Sequence, residues 1–189
     1  MVALLLLAFF QDAAKPCATK LQVAEVLRAQ DERTLEKLHA AMPQSYVFQF
    51  SFAYRAFQLD PTLKTAGEYL AVLPKDEEQL KLRYEIDAGD CQLSDATYRL
   101  LDSSFEGTDK LAARAALYSS QYVDAYVRFG ILTTEDVHTA YGRFSVPVCR
   151  KYPSAFRKAV GSLPSKDRQW YVTHIFNPTR CKSLIIEEE

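Results

Sequence analysis

Apolar residues return every three to four positions along most of this chain, and prolines, aspartates and serines interrupt the rhythm after about ten to fourteen residues. That alternation predicts short amphipathic helices joined by tight turns. Leu21, Val23, Val26 and Leu27 mark a first helix. Asp31 is placed to cap a second, with Leu35, Leu38 and Met42 inward, and Pro43 closes it. Ser45 opens an aromatic segment in which Tyr46, Phe50, Tyr54 and Phe57 share one helical stripe, so this helix is expected to lie deep. Asp60-Pro61 reads as an N-cap followed by proline at the first helical position, with Leu63, Ala66, Leu70 and Leu73 on the inward face.

Farther along, Asp76 to Ile86 is a charged helix with a thin apolar stripe, and Asp87-Ala88-Gly89-Asp90 breaks it. Ser94 caps a helix that turns Thr97, Leu100 and Leu101 inward. A long helical stretch, Leu111 to Phe129, follows Gly107 as one helix or two and ends at Gly130. Thr134 caps a segment carrying Val137, Ala140, Tyr141 and Phe144. Pro147 and Pro153 bracket a turn around Cys149, Ser154 opens a helix through Phe156 and Val160, and a last helix runs from Ser165 through Trp170 and His174.

The expected fold class is therefore all-α, about ten short helices in stacked hairpins or a compact orthogonal bundle. Only six glycines occur, too few for the many turns of a sandwich or barrel. Met42-Pro43, Leu73-Pro74 and Leu163-Pro164 share an apolar-Pro close, and Leu73-Pro74-Lys75-Asp76 is echoed by Leu163-Pro164-Ser165-Lys166-Asp167. On these features the chain loosely resembles the HEAT-like class of α-helical repeats across most of residues 19–178, with no family-specific motif. The resemblance implies a curved interaction surface and carries over no functional residue.

The uncharged run Val2 to Phe10 has the length of a signal-peptide core and about half that of a membrane-spanning helix. Residues 1–14 are read as an export signal, 15–183 as one domain and 184–189 as a frayed acidic tail. No basic residue precedes the run and no clean small-x-small cleavage site follows it, so a first buried element is the competing reading. The expected location is secreted or periplasmic, without a transmembrane anchor. Cys17, Cys91, Cys149 and Cys181 lack C-x-x-C spacing; in an oxidising compartment they are disulfide candidates. Three pairings are open, and proximity in sequence favours Cys17 with Cys91 and Cys149 with Cys181.

Charge points to no partner, since 23 basic and 24 acidic residues leave a net of −1 and no evident basic field for nucleic acid. Two Glu-x-x-His pairs, Glu36/His39 and Glu135/His138, match the spacing of di-iron carboxylate bundles, yet Glu36 falls roughly 125° from the inward face of its helix. Both pairs are read as exposed polar groups. No nucleophile elbow, calcium loop or metal-ligand spacing is present, so no cofactor, metal or catalytic residue is assigned. Tyr118, Tyr122, Tyr126 and Phe129 recur at i, i+4, i+8 and i+11, so they are expected to share one helix face. With Arg114 nearby they form the candidate binding face for a protein or peptide. The alternative is an envelope hydrolase assembling His138, His174, Glu135, Asp136 and Asp167 only in three dimensions.

Overall fold

Aspartate 31 accepts the Thr34 amide at 2.7 Å and starts a helix where the sequence placed one. The computed structural model describes residues 17–85, 91–133 and 140–172, and every regular element among them is helical. In chain order these are α1 (17–28), α2 (Glu32–Ala41), α3 (Tyr46–Leu59), α4 (Leu63–Ala71), α5 (Glu77–Glu85) and α6 (Asp95–Glu106). There follow α7 (Thr108–Ala116), a 3-10 turn (Ser120–Tyr122), α8 (Val123–Leu132), α9 (Ala140–Lys151), α10 (Pro153–Gly161) and α11 (Ser165–Trp170). The export signal, the acidic tail and Cys181 lie outside the described residues.

Helix α3 is buried on more than the expected stripe. Phe50, Tyr54 and Phe57 are joined by Phe48 and Phe52, which point to other sides of the same helix. Tyr69 of α4 sits among these rings, 5.8 to 6.0 Å from the centroids of Phe50, Tyr54 and Phe57. Its hydroxyl donates to the Thr108 carbonyl at 3.3 Å, which ties α4 to the start of α7.

Helix α7 works by the opposite means. Ala112, Ala113, Ala115 and Ala116 are all buried, and their small side chains let α7 pack against α4, α6, α8 and α9. Beyond it, α8 lies on α10 and α9 on α10, so α2 and α3 occupy one side of the stack and α9 and α10 the other.

Several boundaries differ from the sequence reading for local reasons. The N-cap of α4 is Thr62, not Asp60: its hydroxyl accepts the Thr65 amide while Thr65 Oγ1 accepts the Thr62 amide at 3.0 Å, a reciprocal capping box that outcompetes the Asp-Pro signal. Asp60 instead ends α3. Leu63 and Leu21, counted as inward, are 52% and 50% exposed. Gly130 does not end its helix; it is buried within α8, which runs to Leu132. Cys149 lies on α9 rather than in a turn, because Pro147 is exposed while Val148 and Cys149 beside it are fully buried, so packing carries the helix past the proline. Pro153 stands at the first position of α10, where its missing N–H costs nothing.

Cys17 and Cys91 form a disulfide with Cα atoms 5.5 Å apart, linking α1 to the segment before α6. Constraining a loop with a sequence separation of 74 contributes about 4 kcal/mol in the chain-entropy account. Arg28 Nη2 donates to Thr97 Oγ1 at 2.6 Å, and Arg55 donates to the Ala29 carbonyl through Nε and Nη2 at 2.8 and 2.6 Å. Three long-range links thus hold α1. Cys149 is also disulfide-bonded; its expected partner, Cys181, lies outside the described residues.

Candidate functional site

The tyrosine stripe expected on a single helix is divided among three elements. Tyr118 follows α7, Tyr122 belongs to the 3-10 turn, and Tyr126 and Phe129 lie on α8. A break at Leu117 to Ser119, where Ser119 caps the turn in extended conformation, turns the chain and destroys the common face. Tyr126 is 0% and Phe129 1% exposed, so both belong to the core and offer no surface. The Tyr126 hydroxyl pairs with Ser145 of α9 at 3.0 Å.

Tyr118 and Tyr122 reach the surface, but their hydroxyls are engaged inside the molecule. Tyr118 donates to the Pro61 carbonyl at 2.5 Å and Tyr122 to the Leu63 carbonyl at 3.0 Å. The Tyr118 ring stands edge-on to Phe57, centroids 5.7 Å apart, and the Arg114 guanidinium lies 5.9 Å from the Phe57 ring centre. Gly67 makes this approach possible: a Cβ there would fall 2.5 Å from the Tyr122 hydroxyl. The five residues chosen from sequence therefore form a corner that fastens the α3–α4 turn, plus part of the core beneath α8.

An open concavity lies elsewhere among the described residues, where α2 and α4 flank α3. It is a groove of about 780 Å³ with Leu35, Phe52, Ala53, Ala56 and Val72 as its apolar lining. Small Ala53 and Ala56 leave room that larger residues on α3 would fill. Its rim carries Glu32, Glu36 and Glu68 against one lysine, Lys64, and His39. Lys64 and Glu68 approach to 3.8 Å, an exposed pair of little strength. The His39 ring stands edge-on to Phe52 at 4.8 Å. From Glu32 to His39 on α2, and from Lys64 to Val72 beside it, the lining extends about 10 to 12 Å at 1.5 Å rise per residue, two helical turns.

Sequence reasoning passed over this groove. Glu36 and His39 were read as exposed polar residues, and they are exposed; what pattern alone did not reveal is that they border a hollow. The visible signal was the pair Ala53 and Ala56 in an otherwise bulky aromatic helix. Of the residues considered for a hydrolase, Glu135, Asp136, His138 and His174 lie outside the described residues, and Asp167 is half-buried on α11. Among the described residues no group of three His, Cys, Asp or Glu is placed to hold a metal ion. No lining residue of the groove bears a hydroxyl or thiol.

The chain matches no family model, no curated protein and no solved structure.

Proposed function

We propose that this protein is an exported binding module, not a catalyst, whose groove across α3 receives a two-turn amphipathic helical segment of a partner protein. The observation that carries the reading is the groove itself, open to solvent and two turns long, with Leu35, Phe52, Ala53, Ala56 and Val72 set among polar residues that include Gln44 and Gln49. An α-helix laid in such a channel presents apolar residues at i, i+3 or i+4 and i+7. The rim selects charge. With three carboxylates facing one ammonium, the favoured ligand carries lysine or arginine beside its apolar stripe. The HEAT-like, stacked-hairpin reading belongs to the same proposal, because consecutive helices are the scaffold on which such channels form.

Export is supported by the Cys17–Cys91 disulfide, since such bonds persist in oxidising compartments. No helix among the described residues is long and apolar enough to cross a membrane.

The test uses fluorescence anisotropy with labelled twelve-residue helical peptides of one apolar face and either basic or acidic flanks. The basic peptide is expected to bind saturably, and Ala56→Trp, which fills the channel, is expected to abolish that binding while thermal unfolding stays near wild type. Equal binding of both peptides, or binding indifferent to Ala56→Trp, would overturn the proposal.

A further inference from the structure

The near-neutral total hides a separation of charge. Residues 140–172, which make α9 to α11, hold seven lysines and arginines and a single carboxylate, Asp167, a net of +6 in a chain whose total is −1. Arg150, Lys151, Arg157, Lys158 and Lys166 are all exposed. Their placement follows from the packing. On α10 the core side is Phe156, Ala159 and Val160, and Lys158 lies about 200° around the helix from Phe156. On α9, Ser145, Val148 and Cys149 face inward, which turns Arg150 out. α10 rests against α9, and Tyr171 just past α11 packs on Phe156 with centroids 6.1 Å apart, so the three helices pack together and bring their exposed cations into one region of the molecule.

We infer that this basic side docks the protein on an anionic phospholipid surface. Oppositely charged surfaces attract through many weak contacts, and each lysine or arginine held near a bilayer adds to the attraction. Two observations favour lipid over nucleic acid. The disulfide is of a kind that persists in oxidising compartments and is rare in the cytosol and nucleus, where nucleic acid is concentrated. None of the described aromatic side chains on or beside these helices, Phe144, Tyr152, Phe156 and Tyr171, is exposed as a platform for stacking bases. With no helix among the described residues suited to crossing a membrane, attachment is by adsorption and reversible with salt. The inference does not depend on the groove, which lies among α2, α3 and α4.

Co-sedimentation of the disulfide-intact protein with vesicles tests it. Vesicles of 30 mol% phosphatidylglycerol in phosphatidylcholine are expected to retain the protein at low salt and release it near 0.5 M salt, as expected for roughly 3 to 10 Å screening. Pure phosphatidylcholine is expected to retain none. Lys158→Glu with Lys166→Glu is expected to lower the partition coefficient at least about tenfold. The matched reversal Lys75→Glu with Lys81→Glu, equal in charge but placed just before α5 and on it, is expected to leave it within about twofold. Equal losses from both double variants would reduce the effect to overall charge and overturn the assignment. So would absence of binding to the anionic vesicles, or tighter binding to a twenty-base-pair DNA duplex at the same salt.

Discussion

Two surfaces border the α3–α4 pair, and they differ in what their polar groups are doing. At the tyrosine corner, both hydroxyls donate to backbone carbonyls of the α3–α4 turn and Arg114 lies over Phe57. In the groove, the carboxylates of Glu32 and Glu36 line a hollow at the surface. Exposure of an aromatic ring is therefore a poor guide to recognition when its hydrogen bonds are satisfied internally. The corner's polar groups are used up within the fold, whereas the groove's carboxylates face an open hollow.

If that contrast holds, substitutions at the corner change stability and substitutions in the groove change binding. The largest effect is expected from Phe57→Ala, which removes the ring on which Tyr69 and Tyr118 rest and should cost about 3–5 kcal/mol in urea unfolding. A cost below 1 kcal/mol would mean the corner is superficial. Gly67→Ala sharpens the point through its sign. Alanine in a helix interior gains about 1 kcal/mol over glycine, but here the new methyl displaces Tyr122 and its bond to Leu63. We expect net destabilisation of about 1 kcal/mol from the lost hydrogen bond and packing, whereas the same Gly67→Ala change made in a Tyr122→Ala background is expected to stabilise relative to Tyr122→Ala alone. Failure of the sign to reverse would detach Gly67 from the corner.

Smaller again, Tyr118→Phe and Tyr122→Phe should each cost about 0.5–1.5 kcal/mol, while Glu32→Gln with Glu36→Gln should stay within about 0.5 kcal/mol of wild type yet weaken the basic peptide. A stability loss from the glutamine pair larger than from either phenylalanine would invert the comparison.

The least effect concerns acid. Asp31 is held below the usual aspartate value of 3.8 chiefly by the Thr34 amide and next by the Thr34 side chain. A depressed value in the folded state means the cap acts fully above about pH 4 and fades as pH falls through the folded pKa. Hydrogen exchange at the Thr34 amide should accelerate there relative to the α3 interior. An unchanged ratio down to pH 2 would remove the cap's role at the groove's α2 wall.

Much of the architecture was legible because caps and apolar spacing are local signals. Asp31, Ser94 and the Gly107–Thr108 start lie where pattern placed them, and Leu35 and Met42 are buried as their spacing required. Helix ends were less legible wherever tertiary packing decided them, as with Gly130 inside α8 and Pro147 inside α9. The candidate binding face failed for a related reason. Spacing of i, i+4, i+8 assumes an unbroken helix, and the three residues from Leu117 to Ser119 interrupt it. The groove depends on how α2 and α4 flank α3, a relation that no single helix encodes. The basic side was present in the composition throughout, but a total of −1 averaged it away; counting charge by segment would have exposed it.

The bond between Cys17 and Cys91 encloses all of α2, α3 and α4, and with them the whole groove, in one covalent hoop. A protease cutting a single loop in that span leaves the two pieces covalently joined, heavier only by the one water taken up, until a reductant is added. During synthesis the hoop is able to close as soon as Cys91 emerges, before α9 to α11 exist, so the end of the molecule that holds the groove can be sealed ahead of its basic end.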